Sequence, residues 1–248
     1  MGVVRASLGE GRRLLLRRDA SCVSSAHGIL RPQAFGWDGG WPRSSDRWCA
    51  RMTRSRHRLH LVRHGESEWN ACGRLQGQTV DVALTELGRR QARVAADRLG
   101  GSSALGVVSS DLLRAVQTAE VIAARVGVDV RVDAAWREQG LGVLEGALRA
   151  DAWSRLRGER WSADWRPDGG ESTRDVYRRI AGFFSEWVPG SVNDELVVVT
   201  HGDTLRIALG LVEGVPPEAI PWMMAPNGAV VSRTIARTEA GSWRVVDD

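Results

Sequence analysis

The sequence predicts an α/β fold built on a mostly parallel sheet, and three observations carry that reading. Short apolar runs of strand length recur along the chain: Leu59–Val62, Val107–Ser110, Val128–Val132 and Leu196–Thr200. Helical stretches with apolar positions at helical spacing lie between them, the order expected when crossover helices join parallel strands. Three of these strands run into polar segments bearing Arg, His, Gly or Glu, and open α/β sheets hold their ligands at the carboxyl ends of strands.

At 248 residues the chain allows one large or two small domains with a real core. No apolar run approaches the roughly 18 residues of a membrane span. Its cysteines, Cys22, Cys49 and Cys72, are odd in number and widely spaced. Neither a disulfide framework nor a zinc site is expected, and a cytoplasmic location is. All 34 basic residues are arginine. Without lysine there is no P-loop, no Schiff base and no kinase strand lysine, and most rival enzyme classes fall.

The net charge of +4 divides unevenly. Residues 1–56 hold 11 Arg against Glu10, Asp19, Asp38 and Asp46, whereas residues 57–248 hold 23 Arg against 26 acids. The high pI therefore belongs to the N-terminal arm, and nucleic-acid affinity of the whole protein does not follow from it.

Residues 1–56 lack sustained periodicity and mix Arg, Gly, Ser and Pro with Trp37, Trp41 and Trp48. They read as a disordered or loosely attached extension. A nucleic-acid-binding or targeting arm is one alternative, and a translation start at Met52 is another. The first strand, Leu59–Val62, stops at Arg63-His64-Gly65 and passes into a loop reaching Gln78. Thr85-Glu86-Leu87-Gly88 leads into a helix from Arg89 to about Leu99, with Ala92, Val94, Ala95 and Leu99 as its apolar positions. The strand Val107–Ser110 delivers a helix to about Val126 with Arg114 in its first turn, which on position alone reads as a solvated helix arginine.

Beyond Val132 stands Arg137-Glu138, followed by Glu145-Gly146. Residues 149–165, rich in Arg and Trp, read as helix plus loop: either a lid bringing cations to an anionic substrate or an amphipathic surface helix. Ser172 or Glu171 caps a helix reaching about Trp187. Leu196–Thr200 is the central strand and ends in His201-Gly202-Asp203, with a helix from Thr204 to about Leu211. His201 thus stands beside a helix N-terminus, which favours anions. Ala229–Ile235 and Trp243–Val246 close the fold.

Arg63-His64-Gly65-Glu66-Ser67, with Trp69-Asn70 behind it, resembles the signature of the histidine phosphatase superfamily, which includes the cofactor-dependent phosphoglycerate mutases. The resemblance extends to Leu84-Thr85-x-x-Gly88, to Ser109-Ser110-x-x-x-Arg114-Ala115-x-x-Thr118-Ala119, to Arg137-Glu138, to Gly170-Glu171-Ser172 and to His201-Gly202. It implies a three-layer, phosphoglycerate mutase-like sandwich with helices on both faces of the sheet, residues 57–248 forming the catalytic domain. It also implies catalytic roles for His64 as nucleophile, Glu138 as proton donor and His201. Phosphate binding falls to Arg63, Asn70, Gln76, Arg114, His201 and Gly202. Glu145 reads as structural. Gly140 and Val143-Leu144 depart from the commonest family pattern, and both departures are expected to alter the pocket wall.

No metal and no cofactor is implied. The expected activity is that of a phosphoric monoester hydrolase acting on a small phosphorylated metabolite through a phosphohistidine. The mutases carry a long insertion ahead of Gly-Glu-Ser, and only residues 147–168 intervene here, which favours the hydrolase. A phosphoglycerate mutase is the alternative, a non-catalytic binding role on the retained fold another, and a nucleic-acid-binding protein acting through the basic arm a further one. No nucleic-acid or membrane partner is expected. The sequence leaves open the physiological substrate and the choice between monomer and dimer.

Overall fold

A computed structural model describes residues 56–102, 104–155, 162–187, 189 and 194–246. The N-terminal extension, with its readings as arm or mis-assigned start, lies outside the described residues. The elements run β1 (Arg56–Arg63), α1 (Glu68–Ala71), α2 (Glu86–Leu99), β2 (Ala104–Ser109), α3 (Leu113–Val126), β3 (Val130–Val132), α4 (Arg149–Arg155), α5 (Thr173–Glu186), β4 (Glu195–Thr200), α6 (Gly202–Glu213), β5 (Val230–Arg237) and β6 (Trp243–Val245). Short 3₁₀ turns stand at Ala134–Trp136, Gly142–Leu144 and Pro217–Ala219.

The six strands form one sheet in the order β3-β2-β4-β1-β5-β6. β3, β2, β4 and β1 are mutually parallel, and β5 runs antiparallel to both β1 and β6. Strand alternation divides the core into two layers. Leu59, Leu61, Leu196 and Val198 pack with α5 and α6, while Val62, Val197 and Val199 pack with α2 and α3. This is the expected sandwich with helices on both faces.

β1 is longer than its apolar run because the β4 ladder extends it to Arg58 and the β5 ladder to Arg56. α2 begins three residues earlier than expected, since the Thr85 side chain accepts from Gly88 N and caps the first turn. Its buried stripe is Ala92, Ala95, Ala96 and Leu99; Val94 lies on the outer face, 54% exposed. Ser172, not Glu171, caps α5, in a reciprocal box with Asp175. α6 begins at Gly202 rather than Thr204, so His201 itself is the N-cap position.

Two glycines let the loop after β1 approach α2. A Cβ on Gly65 would stand 2.3 Å from the Gly88 carbonyl oxygen, and one on Gly88 would stand 2.0 Å from that of Glu66. Backbone meets backbone there, and only glycine fits on either side.

His57 is sealed between the rings of Trp187 and Trp243, with centroids 5.8 and 5.4 Å away, and neither ring nitrogen has a partner. Burial lowers its pKa, against a smaller opposing pull from Asp194. An unfolded imidazole protonates near 6.5, whereas the folded one resists. Stability from His57 is therefore complete above about pH 6.5 and is lost as pH falls toward the folded value. The melting temperature is expected to drop on going from about pH 7.5 to about pH 5, with part of the drop due to His57. Calorimetry of His57→Phe should show a shallower pH dependence; an unchanged slope would acquit this histidine.

Candidate active site

The site assembles at the carboxyl ends of the two central strands. The register pairs Arg63 with Thr200, so the residues that follow, His64 and His201, leave the sheet at the same level. His64 N donates to Thr200 O over 2.9 Å, and the two imidazole centroids stand 5.0 Å apart. Both rings are buried.

His64 Nδ1 donates to Gly65 O over 2.6 Å, which turns Nε2 out as the ring nitrogen with a free lone pair. Burial, and after it the charges of Arg114 and Arg63, hold its pKa well below 6.5. At neutral pH the ring is uncharged and able to attack. His201 is held low by burial first and then by Arg114. Neither of its nitrogens has a hydrogen-bond partner in the protein.

Two guanidiniums flank the imidazoles. Arg63 Nη1 donates to Ala225 O over 2.5 Å, and its buried Nε is unpartnered. Arg114, on the first turn of α3, is fully buried rather than solvated. It donates through Nη1 to Thr79 O and through Nη2 to Gly77 O, both over 2.8 Å, and its Nε is likewise unpartnered. Desolvation lowers its pKa to about 10, so it stays cationic at neutral pH. Buried donors of this kind are costly unless a ligand completes them, and an oxyanion suits all of them.

Glu138 sits across from this group, at the N-terminus of α6. Its Oε1 accepts from Gln139 N (2.9 Å), Thr204 N (3.1 Å) and Thr204 Oγ1 (3.2 Å), while Oε2 has one long bond from Asp203 N (3.3 Å). Thr200 Oγ1 donates to Trp136 O over 2.8 Å and ties the preceding turn to β4. One carboxylate oxygen is thus fixed and the other is left more open.

Arg63, His64, Asn70, Gln76, Arg114, Glu138 and Gly202 line one cavity of about 410 Å³. His201 stands beside His64 behind that lining. Asn70 Oδ1 is occupied by Ser67 and by Asn227 Nδ2, and Gln76 Oε1 accepts from Ser67 Oγ over 2.7 Å. Glu145 does not line the cavity; its Oε1 accepts from Gln78 N and Leu141 N and braces the loops. Among the described residues no group of three or more His, Cys, Asp or Glu is placed to hold a metal ion, and no helix is long and apolar enough to cross a membrane.

Sequence reasoning missed three contributors. Asn227 Nδ2 donates to His64 O over 3.1 Å from 163 residues away, and Ala225 O receives Arg63. Asp203 is a second carboxylate beside Glu138, its pKa raised to about 6 by burial and then by that neighbour, with Arg206 Nη2 at 3.1 Å. Of the departures from the family pattern, only Leu144 reaches a pocket wall. Val143 is 73% exposed, and Gly140 faces Glu171. Arg149 lines the main cavity and Trp165 an adjoining one. Residues 156–161 of the expected lid lie outside the described residues.

Residues 59–247 match the histidine phosphatase superfamily (branch 1), and the chain belongs to it. With its phosphatase relatives it is a phosphoric monoester hydrolase. It is 41% identical over 157 residues to the glucosyl-3-phosphoglycerate phosphatase of Mycobacterium tuberculosis, covering 58% of this chain and 70% of that protein. It is 38% identical over 168 residues to the probable phosphoglycerate mutase GpmB of Proteus mirabilis, covering 65% of this chain and 77% of the other. A solved mycobacterial glucosyl-3-phosphoglycerate phosphatase, described as complexed with VO3, superposes with a TM-score of 0.68 at 34% identity, covering 77% of this chain and 97% of that one.

Proposed function

We propose that this chain hydrolyses small phosphorylated metabolites through a phosphohistidine at His64. The observation that carries the reading is the set of buried nitrogens without protein partners, on Arg63, Arg114 and His201, gathered about an uncharged His64. The substrate phosphate sits against the Arg63 and Arg114 guanidiniums, with Asn70, Gln76 and the Gly202 backbone as further ligands and His201 beside His64.

His64 Nε2 attacks phosphorus, and the bond to the leaving oxygen breaks as the Glu138 carboxyl hands that oxygen its proton. The alcohol departs. A water then attacks the phosphohistidine, Glu138 takes the proton of that water, and the P–N bond breaks to release orthophosphate. The cations act mainly by being already in place when charge shifts onto the leaving oxygen. The relatives' names supply glucosyl-3-phosphoglycerate as the first substrate to try.

Rapid quenching of the wild type with labelled p-nitrophenyl phosphate in EDTA is expected to trap a phosphoprotein stable to base and labile to acid, with the label on His64. Turnover without such a species, or activity lost to EDTA, would remove the covalent route.

A further inference from the structure

Glu138 stands on chain that no helix or strand holds, between the 3₁₀ turns Ala134–Trp136 and Gly142–Leu144. Without a ladder of its own, that backbone is held in place by side chains from elsewhere. The main one is Arg179, in the second turn of α5, which the phosphate chemistry does not use. Arg179 Nη1 donates to Ala135 O over 2.6 Å and Nη2 to Glu138 O over 3.0 Å.

Glu171 orients this fork. Its Oε1 accepts from Arg179 Nε and its Oε2 from Arg179 Nη2, both over 3.1 Å. Oε2 also accepts from Gly140 N over 2.9 Å and from Gln78 Nε2 over 3.0 Å. Glu171 N returns a bond to Gly140 O over 2.8 Å, and Gln78 Nε2 reaches Glu138 O as well, over 3.2 Å. One guanidinium and one carboxylate therefore grip residues 135, 138 and 140, before, at and after the proton donor. Arg179 lines neither the main cavity nor the adjoining one.

We propose that Arg179, oriented by Glu171, is a positioning residue for Glu138. By tying the Ala135 and Glu138 carbonyls to α5, it sets where the Glu138 carboxyl meets the leaving oxygen and the attacking water. The inference rests on the proposed function. A general acid or base works only within hydrogen-bond reach of its proton, and a misplacement of about 1 Å can cost about 10²-fold. Lysine at position 179 would keep the charge, but it has no planar fork to span two carbonyls and a carboxylate at once.

The test reads two half-reactions of p-nitrophenyl phosphate separately in Arg179→Lys. Nitrophenolate release in the first turnover needs no proton and should stay within about threefold of wild type. Decay of the labelled phosphohistidine needs Glu138 as base and should slow about 10- to 100-fold. In the Glu138→Gln background, Arg179→Lys should slow that decay by less than about twofold more, because placement no longer matters once the base is gone. Gln78→Met removes the other bond to the Glu138 carbonyl and should slow the decay selectively by about threefold, which keeps the inference testable if Arg179→Lys does not fold. Equal slowing of both half-reactions would overturn the positioning role. So would unchanged decay in both variants, or a full further loss in the Glu138→Gln background. A wild type that forms no phosphohistidine would defeat the covalent reading itself, and the positioning role with it.

Discussion

His64→Ala is expected to lower kcat for p-nitrophenyl phosphate by roughly 10⁴- to 10⁶-fold, the scale seen when a covalent nucleophile is removed. The reason is local. The ring is held uncharged by burial and by Arg114 and Arg63, and Nδ1 is committed to Gly65 O, so the attacking lone pair is always Nε2. Alanine removes that atom and nothing nearby replaces it: His201 lies behind the cavity lining, and the remaining basic groups are guanidiniums. Arg63 and Arg114 keep their anchors on Ala225, Thr79 and Gly77. The variant should therefore still bind orthophosphate, measured by the rise in melting temperature it causes. Activity within about tenfold of wild type would remove His64 from the nucleophile's role.

Glu138→Gln carries the second large effect, and it depends on the leaving group. For an alkyl ester, whose alkoxide needs a proton, a loss of about 10²- to 10⁴-fold is expected. For p-nitrophenyl phosphate the first step needs little help, because nitrophenolate departs unprotonated. The second step still lacks its base. A stopped-flow trace should then show a burst of nitrophenolate of about one equivalent, followed by slow turnover, with phosphohistidine accumulating. Glutamine keeps an oxygen for the three donors now on Oε1, so the surrounding turn and the start of α6 have reason to stay in place. Equal losses on both esters with no burst would assign Glu138 a binding role instead.

The parts of the site legible in the sequence are those that each arrive on one short contiguous motif at a strand end. Arg63-His64, Arg114, Glu138 and His201 are of this kind, since the polar residue and the apolar run that positions it are neighbours in the chain. Asn227 and Ala225 were illegible for the opposite reason. They act through a single amide and a single carbonyl, reach the site from 163 and 162 residues away, and sit in a loop without periodicity. Asp203 was visible as a letter only; its meaning comes from burial next to Glu138. The fold errors have equally plain causes. Val94 breaks the stripe formed by Ala92, Ala95, Ala96 and Leu99, and the start of α2 is set by a side-chain cap rather than by apolar spacing.

The two cavities share Leu75, Gln139, Leu141, Asp203 and Trp222, and the remainder of each wall comes from different parts of the chain. In the first cavity, Arg63, His64, Arg114 and Gly202 stand on segments that leave β1 and β4 or begin α3. The adjoining wall comes from Leu141 and Leu144, from Ala163 and Trp165, and from Pro217 to Trp222, none of which belongs to a strand. Such a division makes the scaffold readily evolvable. Mutations can remodel the outer wall while the reacting groups and the sheet beneath them stay as they are. New substrates are then reachable by drift in a few loop positions, without passing through an inactive ancestor.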